Sequence, residues 1–165
     1  MSRSYYEERS WNAEPSSALT WGVQRLILAT IAAYALQLLL QIPLGDKLEN
    51  WMAFQPGAFL RGGIWRPFTY MFLHGGLMHL AFNMLWLYFF GPDVERALGT
   101  RQFIVFYVVC GMLAVFAAFL SAVFHDLPQS IIGASGAVMA VLVAFAITNP
   151  DRQFFLFPIP VPIDA

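Results

Sequence analysis

The run FIVFYVVCGMLAVFAAFLSAVF, residues 103–124, carries no charged side chain. A bilayer core about 30 Å thick takes roughly 20 helical residues to cross, so this run reads as a membrane span. Its neighbours invite the same test. Residues 26–40 are nearly all apolar, inside an uncharged stretch between Arg25 and Asp46. A second uncharged block lies between Arg66 and Asp93, and a shorter one, 131–147, is rich in glycine and alanine. The blocks predict an all-α membrane protein, with about four transmembrane helices near 24–42, 68–91, 102–124 and 132–149.

Composition points the same way. Of 165 residues, 59% are hydrophobic and 12% charged, too few charges to cover a soluble domain of this length. A net charge of -1 gives no footprint for a nucleic-acid partner. Cys110 is the single thiol, so no internal disulfide forms, and it reads as a small packing residue. Residues 1–20 are polar and include Glu7, Glu8 and Glu14, which fits a tail in water rather than a secretory or transit signal. Residues 43–67 form a loop bearing Trp51, Met52, Phe54, Phe59, Leu60 and Trp65, and this loop is expected to lie in the membrane interface. Beyond the fourth block, Pro158, Pro160 and Pro162 exclude a helix and predict an extended interfacial stretch.

Basic residues orient the bundle. Arg3, Arg9 and Arg25 flank the first span, Arg96 and Arg101 lie between the second and third, and Arg152 follows the fourth. The connection near His125 and Asp126 has no Lys or Arg. Two cytoplasmic termini follow, although the first loop, with Lys47, Arg61 and Arg66, votes the other way. In this topology His74, His79 and Ser135 all lie towards the outer face.

Polar groups inside a span are expensive and are site candidates by default. His79 and Asn83 are four apart and share a helix face, and both can donate hydrogen bonds. By themselves they could equally glue helices together. Ser135 sits in Gly133-Ala134-Ser135-Gly136 at the start of the fourth span. Glycines allow close backbone approach, and the free N–H groups of a helix start favour negative charge. The small residues Ala137, Ala140 and Ala144 give the same segment an ordinary packing reading.

The order of these features is more specific than any one of them. Trp65-Arg66 comes first, then His74, His79 and Asn83. A segment Gly91-Pro92-Asp93-Val94-Glu95-Arg96-Ala97-Leu98-Gly99 follows, taken as a short loop, and then Gly133-Ala134-Ser135-Gly136. This set resembles the rhomboid family of intramembrane serine proteases. The resemblance implies a rhomboid-like helical bundle, with residues 21–165 forming part of the six-helix membrane domain. It implies Ser135 as nucleophile, with His79 and Asn83 stabilising the oxyanion beside the Ser135 amide. His74, Gly133 and Gly136 would support the site, Trp65 and Arg66 would anchor the first loop, and Glu95 and Gly99 would shape a cytoplasmic turn. It implies no metal or nucleotide, transmembrane protein substrates cut near the outer face, and a place in the lipid bilayer, most simply a bacterial plasma membrane.

The family's base is a histidine on a later helix, and the thirty residues after Ser135 contain none. The expectation is therefore a fragment, inactive alone, whose reading frame continues into two further spans. Their absence would leave the Ala137, Ala140 and Ala144 face to lipid. His125 reads as a solvated loop residue. Two other functions fit parts of the sequence: an inactive rhomboid-like protein that holds membrane clients, and a haem or metal protein using His74, His79 and His125. The metal reading is the poorer one, because no carboxylate or thiolate completes a ligand set.

Overall fold

The computed structural model describes residues 19–124, 130–150, 153–155 and 162–164. Most of the predicted tail, together with His125, Asp126, Arg152, Pro158 and Pro160, lies outside the described residues. In chain order the elements are α1 (Trp21–Leu44), α2 (Lys47–Met52), α3 (Pro56–Leu60) and α4 (Arg66–Thr69). A 3-10 turn (Tyr70–Phe72) precedes α5 (Leu77–Leu98), α6 (Thr100–Phe124) and α7 (Ser135–Thr148). Two short antiparallel strands follow, β1 (Gln153–Phe155) and β2 (Pro162–Asp164), with Phe154 opposite Ile163.

Helix α1 and the Thr100–Ala117 part of α6 are long and apolar enough to cross a bilayer. Helix α5 has 22 residues, about 33 Å at 1.5 Å per residue, but His79, Asn83, Asp93 and Glu95 dilute its apolar character. Helix α7 is shorter, at 14 residues. The solvent is written in how α1 divides its faces. Its buried positions are Gly22, Val23, Leu26, Thr30 and Gln37, whereas Leu28, Ile31, Leu36, Leu38, Leu39 and Ile42 are exposed. Facing water, this would be an unusually large apolar patch. Facing lipid, it is the low-energy arrangement, with the polar groups turned inward to find partners.

The second span departs from its predicted bounds of 68–91. Residues 66–72 make α4 and the 3-10 turn, the chain extends at Leu73, and α5 begins only at Leu77. Gly75 and Gly76, poor helix formers, occupy the break. At its other end α5 does not stop at Gly91. It runs through Pro92 to Leu98, so the segment expected as a loop is helical. Pro92 forfeits one backbone bond, but both Gly91 and Pro92 are buried in a tight crossing. A Cβ on Gly91 would lie 2.7 Å from a Val23 methyl of α1. Gly99, at φ +83°, ends the helix, and its N–H bonds Glu95 O at 2.7 Å.

Helix α7 packs on both α5 and α6. Its crossing with α6 is built from small residues, since added Cβ atoms would lie 3.2 Å from Ala137 Cβ at Gly111 and 2.5 Å from Ala114 Cβ at Gly136. Ala137 is fully buried there and Ala140 and Ala144 half-buried, which corrects the expectation of a lipid-facing alanine row. The face turned outward is Ser135, Met139, Val143 and Ile147. Their spacing of four residues puts all of them on one stripe.

Candidate functional site

The first loop acts as a clamp. Trp65 Nε1 donates to Trp51 O at 3.0 Å, Thr69 Oγ1 to Met52 O at 2.7 Å, and Arg66 Nη1 to Ala53 O at 2.6 Å. Three consecutive carbonyls are thus held by one short segment. Non-helical backbone in or near a membrane needs such partners. The indole rings of Trp51 and Trp65 add a tilted aromatic contact at 5.3 Å. Arg66 is buried, and burial followed by the neighbouring Arg61 charge lowers its pKa. A guanidinium starts so high that it stays charged.

The clamp leads straight to the serine. Phe54, the next residue, pairs with Ile131 through two backbone bonds of 3.0 and 2.9 Å. Two residues further, Gly133 N–H donates to Tyr70 O at 2.9 Å. The Tyr70 hydroxyl in turn donates to Gly111 O on α6. The turn before Ser135 is therefore fixed by backbone bonds to the first loop and to the 3-10 turn. Gly133 takes φ +115°, a conformation that side-chain-bearing residues rarely adopt.

Gly133 also has a close neighbour. A Cβ there would meet His79 Cε1 at 2.6 Å and Nε2 at 2.8 Å. The imidazole edge thus rests in the space a side chain would fill, two residues from Ser135. Ser135 opens α7 and is exposed. The helix's own ladder starts with Val138 N–H on Ala134 O at 3.0 Å, which leaves the Ser135 amide outside it. An exposed hydroxyl, an amide outside the helical ladder and, two residues back at Gly133, an imidazole edge thus lie along one short turn. Asn83 is one turn beyond His79, buried, and its Nδ2 donates to His79 O at 3.0 Å. One amide hydrogen remains for another acceptor. His74 is buried, with its ring centroid 5.1 Å from that of His79. Gly136 lies against Ala114 and Tyr70, on the packed side of α7 rather than over the hydroxyl. Among the described residues no group of three His, Cys, Asp or Glu side chains could hold a metal ion.

Opposite the serine end, Glu95 is buried and its carboxylate accepts from Thr20 Oγ1, Gly22 N, Val23 N and Thr100 Oγ1. It caps α1 from a different helix while holding the start of α6. The expected turn at Glu95 and Gly99 is thus a three-helix junction. Gln37 and Tyr70 were not singled out from sequence. The rule that flagged His79, a polar group in an uncharged block, applies equally to Gln37.

Residues 61–164, more than half of the chain, match the Rhomboid domain. The chain belongs to the rhomboid family, and it is an all-α membrane protein with that family's helical-bundle fold. It is similar to the rhomboid protease GlpG of Salmonella paratyphi A, of Salmonella typhi and of Salmonella newport. Identity is 34% over 102 residues in each case, covering 61% of this chain and 34% of each relative. The chain spans about a third of the length of the curated relatives it matches. The resemblance is to an intramembrane protease of the serine type.

Proposed function

We propose that this chain carries the nucleophile and the oxyanion-binding groups of an intramembrane serine endopeptidase. Ser135 Oγ attacks the scissile carbonyl. The Ser135 amide, His79 and Asn83 donate to the oxyanion that develops. The observation that carries this reading is the His79 edge packed on Gly133, beside an exposed serine at a helix start. Donors fixed before the reaction cost no reorganisation when charge appears, and one such donor is worth roughly 10²–10³ in rate.

A serine hydroxyl also needs a base. The chain's histidines are His74, His79 and His125. His79 is committed to the oxyanion in this scheme, and the family resemblance implies a histidine on another helix as the base. Loss of a triad member leaves about 10³–10⁴-fold catalysis from binding and the oxyanion hole, so residues 1–165 alone react slowly. Neither metal nor nucleotide enters the scheme. The substrates are transmembrane proteins cut near the outer face of a bacterial plasma membrane. The N-terminus is cytoplasmic and the 43–67 loop lies in the interface.

A fluorophosphonate probe tests this on the product of the full reading frame. Ser135 is expected to be labelled, and Ser135→Ala to abolish both labelling and cleavage of a transmembrane reporter. Crosslinking to membrane clients with no labelling and no cleavage would instead establish the client-holding alternative.

A further inference from the structure

Where α4 and its 3-10 turn give way to α5, the backbone at residues 73–76 is not helical, and its polar groups need partners inside a membrane domain. At His74 both groups are met by one side chain. Gln37 Nε2 donates to His74 O at 3.0 Å, and His74 N–H donates to Gln37 Oε1 at 3.0 Å. Gln37 lies in the C-terminal half of α1 and is buried. Its amide copies the edge of a peptide strand and locks the His74 backbone from both sides.

The lock has a direction. Among the described residues neither His74 ring nitrogen has a hydrogen-bond partner of good geometry, although the Phe72 backbone lies close to the ring, so the ring is placed by its backbone, that neighbour and packing. It stands edge-on to two rings, Tyr34 at 6.3 Å and His79 at 5.1 Å. Tyr34 is one helical turn before Gln37 on α1. The His79 ring in turn lies on Gly133. A continuous series of contacts therefore runs from α1 through His74 to the turn that presents Ser135.

We propose that Gln37 is a positioning residue: through His74 it sets the orientation of the His79 ring against Gly133. The link to catalysis rests on the protease reading above, whereas the link to His79 does not. Gln37→Met keeps the volume and removes both bonds. Gln37→Glu, in its neutral form, keeps one donor and one acceptor and serves as the conservative rescue. Thr30→Val is the control on the same helix, since among the described residues Thr30 Oγ1 bonds only Leu26 O of its own turn.

Two readouts separate the claims. The first is the ring ¹⁵N resonances of His79, recorded in bicelles on folded protein. Gln37→Met is expected to shift or broaden them, and Gln37→Glu to restore them. Thr30→Val leaves them in place. The second is the rate of Ser135 fluorophosphonate labelling in the full reading frame. Gln37→Met is expected to slow it about tenfold, because small misplacements of a catalytic donor cost that order of rate. Unchanged His79 resonances in folded Gln37→Met would overturn the proposal, and shifted resonances with an unchanged labelling rate would overturn its link to catalysis. Shifted resonances in a protein whose wild-type Ser135 is never labelled would support the positioning role and sink the protease reading. Should Gln37→Met fail to fold, Gln37→Asn, whose shorter amide cannot reach both groups, is read the same way.

Discussion

The two ends of the bundle are held by different kinds of bond. At the Glu95 end a side chain is spent on architecture: one carboxylate takes donors from Thr20, Gly22, Val23 and Thr100. At the Ser135 end the turn itself is held backbone on backbone, Phe54 with Ile131 and Gly133 with Tyr70, while Trp65, Arg66 and Thr69 clamp the loop behind it. Side chains with chemical capacity are thereby left over for other work. Where a chain must keep a hydroxyl and an imidazole available, holding the turn by its peptide groups costs no functional side chain. Where nothing reacts, a saturated charge is the stronger tie.

This contrast can be broken from either side. The largest effect is expected from Gly133→Ala. Its methyl would sit 2.6 Å from His79 Cε1 at a positive φ, so the ring or the turn must move. Ser135 labelling in the full-length protein should fall about a hundredfold, the scale of a misplacement near 1 Å. Far-ultraviolet dichroism should stay nearly unchanged. Next comes Glu95→Ala, which strands two buried N–H groups at the start of α1. About 3 kcal/mol of stability should be lost, read by denaturant titration in mild detergent, with Ser135 labelling of the surviving folded fraction retained. Arg66→Ala should cost about 1–3 kcal/mol by orphaning the Ala53 carbonyl, and should also slow labelling, because Ala53 precedes the Phe54–Ile131 pair. Thr69→Val, which removes one bond to Met52 O, should be mildest at about 1 kcal/mol. Equal losses of labelling from Glu95→Ala and Gly133→Ala, after correction for unfolded protein, would erase the distinction between the ends.

Charge gaps are enough to place four helices, α1, α5, α6 and α7, of which α1 and α6 are long and apolar enough to cross a bilayer, because charges mark where a chain meets water. They do not mark where helical hydrogen bonding stops. Gly75 and Gly76 interrupt the ladder inside an uncharged block, so the span expected from 68 opens as α5 only at Leu77. Pro92, Asp93 and Glu95 looked like a loop because proline and charge usually end a membrane helix. Here the charge is satisfied by the start of α1, so the helix continues. The facing of α7 was misread for a related reason. Ala137 could have packed on helices still to come, but the glycine at 111 had already made room for it. For the site, the sequence names residue types and order. It does not reveal that Gly133 is the surface on which an imidazole rests, or that Gln37 on α1 holds His74. Both depend on contacts between segments far apart in the chain.

The pairing of Phe54 with Ile131 has a consequence for biogenesis. Phe54 leaves the ribosome long before its partner is made, and two long helices, α5 and α6, separate the two. Closing so distant a loop is late and slow compared with forming the helices themselves. The turn before Ser135 therefore acquires its shape only once α5 and α6 have been made.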